Sequence, residues 1–345
     1  MFTNPLFCIP PEIAHRIVIF ALKNNFIPTK KTEIPRSLNI KVFNKLLRTP
    51  IGVAAGFDKN AEVIEPLLQA GFGFVEVGTV TKYPQKGNNK PRVFRLIKEK
   101  AIINKLGFNN KGVDFLIKKV NDIKLNHCTF GINIGFNKKS TDPIQDYFDL
   151  VKKVYGLSNY ITINISSPNT PGLHEFQKKD LLSELLTAIS QVRKLTDYAE
   201  SIPIMLKISP DISDNEKQDI VDLSIKYKIS GLIISNTSSQ HEKLLNQHTN
   251  IDGGLSGEPL FHLSTQVLSE IYKASQKKLL LIGCGGVSSG YHAYQKIKAG
   301  ASLVQLYTSI VYNGFNIANK ISLELADLLA ADGFPTVSHA IGCDH

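Results

Sequence analysis

Ten residues at positions 164–173, NISSPNTPGL, bring together side chains that could hold a small polar molecule. They follow YITI, an apolar, β-branched run typical of a buried strand. Amide and hydroxyl side chains donate and accept hydrogen bonds, so Asn164, Ser166, Ser167 and Asn169 could form a rigid binding cluster there. Asn, Ser, Pro and Gly are also the ordinary residues of turns, and on these ten residues alone a simple turn is favoured.

Similar residues stand at the ends of seven other short apolar runs. The set is rich in amides and hydroxyls, and it lacks the paired carboxylates of a glycosidase and any His or Cys cluster for a metal. Its one acid, Asp58, is interpreted as a turn or cap residue. Chemistry at these ends must depend on positioned hydrogen bonds and cations, which suits a cofactor that performs the difficult step. The end residues are Gly56, Phe57, Asp58, Lys59, Thr79, Asn133, Lys207, Ser235, Asn236, Thr237, Gly283 to Gly286, Tyr307 and Thr308.

The apolar runs recur from about residue 50, and helical patterns such as DLLSELLTAISQVRKL at 180–195 lie between them. Eight nearly continuous apolar strands in roughly 250 residues predict an α/β fold, a parallel (β/α)8 TIM barrel. A doubly wound open sheet is the less favoured alternative, because it usually has fewer strands and a different glycine fingerprint. In TIM barrels the carboxyl ends of the strands carry the active site. The runs are 51–56, 72–81, 129–135, 160–167, 202–209, 231–237, 279–286 and 303–308.

Glycine-rich segments near the last two strands indicate a phosphate site. GCGG follows the seventh strand and YTS follows the eighth, where barrels of this kind bind phosphate through backbone N–H groups. GGLSG at 253–257 is interpreted as another flexible, donor-rich loop. Flavin mononucleotide (FMN) fits one phosphate and a planar ring across the barrel mouth.

Two segments lie outside the repeat. Residues 82–110 are long for a barrel loop, and RVFRLI and AIINK within them predict a small hairpin over the barrel mouth. PPE at 10–12 predicts a helix start, and the next residues place Ile13, Ile17 and Phe20 on one stripe. We therefore expect a small N-terminal helical subdomain at residues 1–45, with an open apolar face, packed on a catalytic barrel of residues 46–345.

Composition narrows the setting of the protein. Of 345 residues 43% are hydrophobic, enough for a large core, and the apolar run at 17–22 is too short to span a bilayer. The four cysteines form no CxxC pair, which favours a reducing compartment and no structural metal. Residues 1–49 hold eight basic residues against two acidic ones, a net charge of +6 out of +10. Such a basic head suggests an anionic partner, a phospholipid surface or a nucleic acid, although a solvated basic face is about as well supported.

The motifs taken together resemble the dihydroorotate dehydrogenase family, specifically its membrane-associated, quinone-reducing class (class 2). The resemblance covers residues 5–345, including the AIGCDH tail, and implies oxidation of (S)-dihydroorotate to orotate. FMN would accept the hydride and a membrane quinone would reoxidise it, in the fourth step of de novo pyrimidine (UMP) biosynthesis. The motifs, in family order, are AAGFDKN, EVGTVT, KPRVFRL, NKLGFNN, GINIG, NISSPNTPGL, GGLSG and GASLVQLYT.

The resemblance also implies roles for single residues. Ser167 matches the catalytic base, and His15 and Arg95 are candidates for the quinone site. The family usually has Thr where this chain has Ser235, which keeps the hydroxyl and loses a methyl group. Residues that match the substrate pocket are Lys59, Asn104, Lys105, Leu106, Gly107, Phe108, Asn164, Asn169, Asn236 and Thr237. Residues that match flavin contacts are Ala55, Gly56, Phe57, Asp58, Lys59, Thr79, Asn133, Asn164, Lys207, Ser235, Gly257, Gly286, Tyr307 and Thr308.

The chemistry of the implied reaction agrees with these residue types. Asn side chains suit a ring that presents both N–H and C=O groups, and a cation near flavin N1 would stabilise the reduced ring. Lys207 is our expectation for that cation and Lys59 for contact with substrate, although the sequence cannot separate the two roles.

The implied acceptor and location follow from the class. Soluble classes of the family use cysteine as base and lack the N-terminal extension, whereas this chain has serine and the extension. We therefore expect ubiquinone or menaquinone as acceptor, an anionic membrane surface as partner, and no iron–sulfur subunit or nucleic acid. The expected location is peripheral, on the cytoplasmic face of a bacterial inner (cell) membrane. Two alternatives stay open: a flavin barrel that reduces uridine in transfer RNA, and a flavin- or phosphate-binding barrel without turnover.

Overall fold

The computed structural model describes residues 5–27, 32–123, 128–195, 202–245 and 251–345. Lys30 and Lys31 of the basic head lie outside these residues. The described strands are β1 Ile40–Val42, β2 Lys45–Leu47, β3 Ile51–Val53, β4 Phe74–Val80, β5 Val93–Leu96, β6 Ala101–Asn104, β7 Phe130–Ile134, β8 Tyr160–Asn164, β9 Ile204–Ile208, β10 Gly231–Ile234, β11 Gly254–Gly257, β12 Leu280–Cys284 and β13 Leu303–Leu306.

Helices alternate with the strands over most of the chain. Short 3-10 turns lie at Pro5–Cys8, Arg36–Leu38, Leu173–Gln177 and Glu258–Leu260. The described α-helices are α1 Pro11–Lys23, α2 Ile64–Gln69, α3 Val113–Val120, α4 Pro143–Val154, α5 Lys179–Leu195, α6 Asp214–Lys226, α7 His241–Leu245, α8 Phe261–Ser275, α9 Gly290–Lys298, α10 Thr308–Asn313, α11 Ile317–Ala331 and α12 Val337–Ala340.

Eight of the strands close a parallel barrel in the order β3, β4, β7, β8, β9, β10, β12, β13. The predicted (β/α)8 barrel is confirmed, and each barrel strand lies within one of the eight predicted apolar runs. The runs extend past the strands because their last residues form the loops at the carboxyl ends. The predicted helix at 180–195 is α5, which buries Leu182, Leu185, Leu186, Ile189 and Val192 at helical spacing.

A two-stranded hairpin of β1 and β2 precedes the barrel. Phe43 lies in the turn of this hairpin and stacks on the ring of Tyr160, with 4.3 Å between the two ring centroids. Because Tyr160 begins β8, the hairpin covers the amino-terminal end of the barrel, opposite the predicted active site. The predicted domain boundary between residues 45 and 46 lies within β2, and that division stays a prediction.

A second small sheet lies over the other end. β5 and β6 form the antiparallel hairpin predicted within residues 82–110. The expectation of a loop for GGLSG at 253–257 was wrong: Gly254–Gly257 form β11, which pairs with β6 and completes a three-stranded sheet. Glycine disfavours strands, so the sequence suggests a loop, and pairing with a strand about 150 residues away overrides that preference.

The N-terminal helix α1 begins at Pro11 with Glu12 in its first turn, as predicted. Ala14 and Leu22 are buried against the rest of the protein, whereas Ile13, Ile17 and Phe20 are 50%, 47% and 60% exposed. The predicted apolar stripe is therefore an open face. No helix in the described part of the chain is both long enough and apolar enough to cross a membrane.

Candidate active site

A cavity of about 1010 Å³ opens at the carboxyl ends of the barrel strands. It reaches from Ser167 and Lys207 at the strand ends to Ile19 and Phe20 on α1. A smaller pocket continues it toward the loop after β12, and Lys207 borders both spaces. The cavity therefore has a polar end inside the barrel and an apolar end beside α1.

Ser167 lies in the turn after β8 and is 7% exposed, on the wall of the cavity. Its Oγ accepts the backbone N–H of Asn169 at 3.4 Å, so the turn residues hold the serine oxygen toward the cavity. Both amides that flank it, Asn164 and Asn169, line the same space. Three of the four residues proposed as a polar cluster in NISSPNTPGL therefore line the cavity, whereas Ser166 is fully buried and donates to Asn164 instead.

The amide of Asn164 belongs to a directed hydrogen-bond network. Its Nδ2 donates to Thr79 Oγ1 at 3.1 Å, and Thr79 Oγ1 donates to Asn133 Oδ1 at 2.6 Å. Its Oδ1 accepts from Ser166 Oγ at 3.2 Å and from Asn236 Nδ2 at 3.3 Å. Asn133 is fully buried and does not line the cavity, so it supports Thr79 and Asn164 from below.

Glu76 lies one layer deeper and was missed by the sequence analysis. This fully buried carboxylate accepts four hydrogen bonds. Its donors are Asn133 Nδ2 at 2.8 Å, Gln305 Nε2 at 2.9 Å, and the hydroxyls of Tyr160 and Thr162 at 3.1 Å each. The donors come from three strands, β7, β8 and β13, and a lone acid within the apolar run FVEVG was the one available signal.

Two lysines border the cavity. Lys207 is 5% exposed and lies beside Asn164 in the register of β8 and β9. Lys59 donates to the carbonyl of Gly56 at 2.6 Å. Burial lowers the pKa of Lys59 to about 8, although the nearby carboxylates of Glu12 and Asp58 act in the opposite direction. Lys59 therefore gains and loses its charge near neutral pH, which suits a cation that contacts an anionic ligand.

The Asp58 carboxylate accepts hydrogen bonds from the backbone of its own turn. It accepts the backbone N–H groups of Glu62 at 2.9 Å, Val63 at 2.8 Å and Asn60 at 3.3 Å. These bonds bear out the turn interpretation of the side chain. Burial raises the pKa of Asp58, and the three backbone donors act against that shift.

The segment after β6 covers the cavity from the side of the small sheet. Asn104, Leu106, Gly107 and Phe108 line the cavity. Asn169 Nδ2 donates to the Asn104 carbonyl at 3.0 Å, which ties this segment to the Ser167 turn. The remaining predicted residue of the segment, Lys105, does not line the cavity, and its Nζ lies 5.9 Å from the Phe94 ring centroid.

The smaller pocket has features of a phosphate and cofactor site. Ser235, Gly257, Gly286, Tyr307 and Thr308 line it, as the resemblance implied. Two buried side-chain atoms on its wall, Oε1 of Gln305 and Oγ of Ser309, have no hydrogen-bond partner among the described residues. Buried polar atoms are almost always paired, so these two indicate groups that a bound ligand would satisfy. The pocket and the polar end of the cavity therefore fit a phosphate-bearing cofactor with a flat polar ring.

His15 and Arg95 both line the apolar end of the cavity. Both side chains are half-buried. His15 packs edge-on against Phe57 at 5.2 Å, and burial with the nearby charge of Lys59 lowers its pKa to about 3. Arg95 Nη1 donates to the carbonyls of Leu6, Phe7 and Ile9 at 3.1 to 3.3 Å, fastening the first turn of the chain.

An ion pair joins α1 to the loops around the polar end. Arg92 donates to Glu12 at 2.8 Å and also to the carbonyls of Lys86 and Asn88. Arg92 is 6% exposed, so this pair is largely shielded from solvent. The sequence analysis missed this pairing, because the two residues lie 80 positions apart.

The fold and the cavity define a (β/α)8-barrel protein with a polar site at the strand ends and an apolar second entrance. No group of three or more His, Cys, Asp or Glu side chains within the described ranges could hold a metal ion.

Known proteins share this arrangement. A family model described as dihydroorotate dehydrogenase matches residues 37–329. The mitochondrial dihydroorotate dehydrogenase (quinone) of Oryza sativa subsp. japonica is 42% identical, over 99% of this chain and 79% of that protein. The dihydroorotate dehydrogenase (quinone) of Parvibaculum lavamentivorans is 45% identical, over 97% of this chain and 95% of that protein.

Solved structures agree. The crystal structure of the Eimeria tenella enzyme in complex with ferulenol has a TM-score of 0.92 and 38% identity, and the match covers 97% of this chain and 96% of that one. The chain therefore belongs to the dihydroorotate dehydrogenase family, in its quinone-dependent class. The resemblance stated from the sequence motifs is confirmed.

Proposed function

We propose that this protein oxidises (S)-dihydroorotate to orotate and passes the electrons through a flavin to a membrane quinone, a step of pyrimidine biosynthesis. The observation that carries the proposal is one continuous cavity that joins Ser167 and Lys207 to the apolar residues of α1. Chemistry on a polar ring needs the inner end alone. An apolar electron acceptor also needs the outer end, because it can reach the same interior from there without passing through water.

The cofactor we propose is FMN, which when bound supplies a planar acceptor for the hydride of the substrate. Two features support FMN: the pocket beside Gly286 and Thr308, which is suited to a phosphate group, and the unpartnered oxygens of Gln305 and Ser309. Lys207 borders both the pocket and the main cavity, so it can approach the flavin ring. An ammonium there would favour negative charge on the reduced ring.

Ser167 is proposed as the base that removes the proton from C5 of the substrate, on the side opposite the flavin. Serine is a weak base at its ordinary pKa, so the site must favour its deprotonated form. The backbone N–H of Asn169, 3.4 Å from Oγ, supports negative charge on that oxygen. The proton must leave through water or a neighbouring hydroxyl.

Substrate recognition is proposed for the amides of Asn104, Asn164, Asn169 and Asn236 with Lys59. Each amide offers one donor and one acceptor edge, which matches the alternating N–H and C=O groups of a pyrimidine ring. The substrate carboxylate requires a cation, and Lys59 is our assignment for it. Lys105, whose side chain lies away from the cavity, is proposed to contribute backbone atoms only.

The quinone is proposed to enter between α1 and the barrel, past His15 and Arg95. Neutral His15 can act as a hydrogen-bond donor or acceptor for a quinone oxygen, since its pKa lies far below physiological pH. The open stripe of Ile13, Ile17 and Phe20 would rest on an anionic membrane surface, and the basic side chains of the N-terminal head would face lipid headgroups. We propose the N-terminal segment as the membrane-contacting subdomain on these grounds. Relatives of bacterial and mitochondrial origin match at similar identity, so the bacterial inner membrane stays a prediction.

A visible absorption spectrum of the purified protein tests the proposal. We expect a flavin band that bleaches on anaerobic addition of dihydroorotate and returns on addition of ubiquinone or menaquinone, but not with fumarate or a nicotinamide cofactor. A flavin band that dihydroorotate leaves unchanged would favour a flavin-binding barrel without this activity. Salt-sensitive binding of transfer RNA would favour the RNA-modifying alternative.

A further inference from the structure

Lys296, in the last turn of α9, is a buried cation that the proposed reaction does not use. Its side chain is fully buried, and its Nζ donates to Ser264 Oγ at 2.7 Å, its one hydrogen-bond partner within the described ranges. Its Nζ also lies over the Phe261 ring, 5.5 Å from the ring centroid, and no ion pair of the described residues includes it. A lysine buried without a counter-ion is costly, so a compensating interaction is expected.

The side chain lies directly behind the glycine loop 283–286. A Cβ atom on Gly283 would meet Lys296 Cδ at 2.8 Å, and Ser264 Oγ lies 3.1 Å from the carbonyl of Gly285. Gly286, with a φ of +77°, has no room for a side chain, because a Cβ atom there would run into the backbone of Phe261. The loop therefore packs directly against residues of α8 and α9, and Lys296 is one of them.

The opposite side of the same loop faces the cofactor pocket. Cys284, Gly285 and Gly286 line that pocket together with Ser235 and Thr308. The Ser264 hydroxyl, which accepts from Lys296 and donates to the carbonyl of Gly285, joins the lysine to this loop, so a charge on Lys296 acts through one intervening residue and the loop on an anion in the pocket. The interaction is strong because protein rather than water separates the two groups.

We propose that Lys296 is a positioning residue for the flavin phosphate, a cation held behind the loop that favours cofactors carrying a dianionic phosphate. The inference rests on the proposed flavin cofactor. It predicts that phosphate binding and protonation of Lys296 favour each other. In the absence of a phosphate, burial lowers the pKa of Lys296 to about 7. A bound dianion raises that pKa, so FMN binds more weakly as the pH rises above about 7 and the free protein loses the charge.

The pH effects of other titratable groups near Lys296 must be distinguished from those of the lysine itself. Cys284, at the end of β12, interacts with Lys296 electrostatically, as does His292 one turn earlier in α9. Burial lowers the pKa of His292, so that ring is neutral in alkaline solution. Glu258 and Lys100 act on His292, and His262 lies beside it.

Helix α11 packs against the other side of α9. Its Glu324 accepts the backbone N–H of Gly290 at 2.6 Å. Asp332, the residue after α11, accepts the Tyr294 hydroxyl at 2.5 Å. Both carboxylates are thus occupied by groups at other positions of α9.

The test uses purified holoenzyme equilibrated with mixtures of FMN and riboflavin, which lacks the phosphate. The ratio of the two flavins retained by the protein is measured from pH 7 to 9.5. A phosphomonoester is fully dianionic in this range, because its second pKa is near 6. We expect the preference for FMN to fall about fivefold for one pKa unit of coupling, because Lys296 of the free protein is already half deprotonated at pH 7, and further for stronger coupling.

The Lys296→Met variant keeps the side-chain volume and removes the charge. It should show a preference for FMN about fivefold below wild type at pH 7, with no slope to pH 9.5. The Cys284→Ser and His262→Gln variants should keep the wild-type slope. A flat wild-type ratio would overturn the proposal even if Lys296→Met does not fold, as would a slope that disappears in Cys284→Ser. A protein that binds no flavin at all would instead contradict the proposed function.

Discussion

Replacing Glu76 with Gln tests how the floor of the active site is stabilised. The wild-type carboxylate accepts from Asn133, Tyr160, Thr162 and Gln305, and all four donors are buried with it. Glutamine has the same shape but offers one carbonyl oxygen and one NH2 group. The NH2 group cannot accept, so at least one of the four donors loses its partner.

The magnitude follows from which donors can adapt. The hydroxyls of Tyr160 and Thr162 can rotate and accept from the new NH2 group, whereas the NH2 groups of Asn133 and Gln305 can only donate. The variant therefore loses one charge-assisted hydrogen bond, and its new NH2 group is left facing the NH2 group of Asn133 or Gln305. A buried unpaired donor costs about 1–3 kcal/mol, and a hydrogen bond to a charged group contributes about 1.5–3 kcal/mol. We therefore expect Glu76→Gln to lower the free energy of unfolding by about 3 kcal/mol.

Urea unfolding of the holoenzyme, followed by circular dichroism, measures this change, with the slope m compared between proteins. Glu175→Gln is the matched control, because Glu175 is half exposed and pairs with Lys178 at the surface. The control should change stability by less than about 0.5 kcal/mol. A Glu76→Gln protein as stable as this control would refute the view that the carboxylate holds the four donors in place.

Four further results are expected. Ser167→Ala should retain flavin but reduce it at least about 100-fold more slowly with dihydroorotate in rapid mixing, and an unchanged rate would refute its role as base. The affinity for orotate, measured from the flavin spectrum, should be constant below pH 8. Above pH 8 it should fall about tenfold per pH unit, because Lys59, with a pKa of about 8, loses its proton. A constant affinity up to pH 9.5 would contradict this assignment. Removing residues 1–27 should spare flavin reduction and reoxidation by a soluble dye but abolish reoxidation by a long-chain quinone. The double change Ile17→Glu and Phe20→Glu should abolish sedimentation with anionic vesicles without slowing flavin reduction, and unchanged sedimentation would rule out this face as the membrane contact.

The barrel could be predicted from the sequence because its signal is local. Each barrel strand is buried on both faces, so it appears as a short apolar run, and the polar residues that end each run mark the active-site edge. β11 escaped this reasoning, since GGLSG has the composition of a loop. Its strand conformation depends on β6, a partner that no local pattern reveals.

The same limit applies within the site. Ser167, Lys59 and Lys207 could be identified because each stands at the end of a strand, where the fold brings functional residues together. Glu76 and Lys296 could not, since each is a charged residue in a buried setting created by distant parts of the chain. In the sequence, Lys296 has the appearance of an exposed residue on an amphipathic helix.

The direction of the hydrogen bonds above Glu76 gives this buried acid a consequence for ligand recognition. A carboxylate only accepts, so Asn133 must turn its NH2 group toward Glu76 and its oxygen toward Thr79. Thr79 then donates to Asn133 and accepts from Asn164, whose oxygen is left to accept from Asn236. Asn164 and Asn236, which line the cavity, can therefore each present only one of their two orientations to it. A pyrimidine ring carries both N–H and C=O groups around its edge, and one buried acceptor inside the barrel fixes which of the two each of these asparagines can recognise.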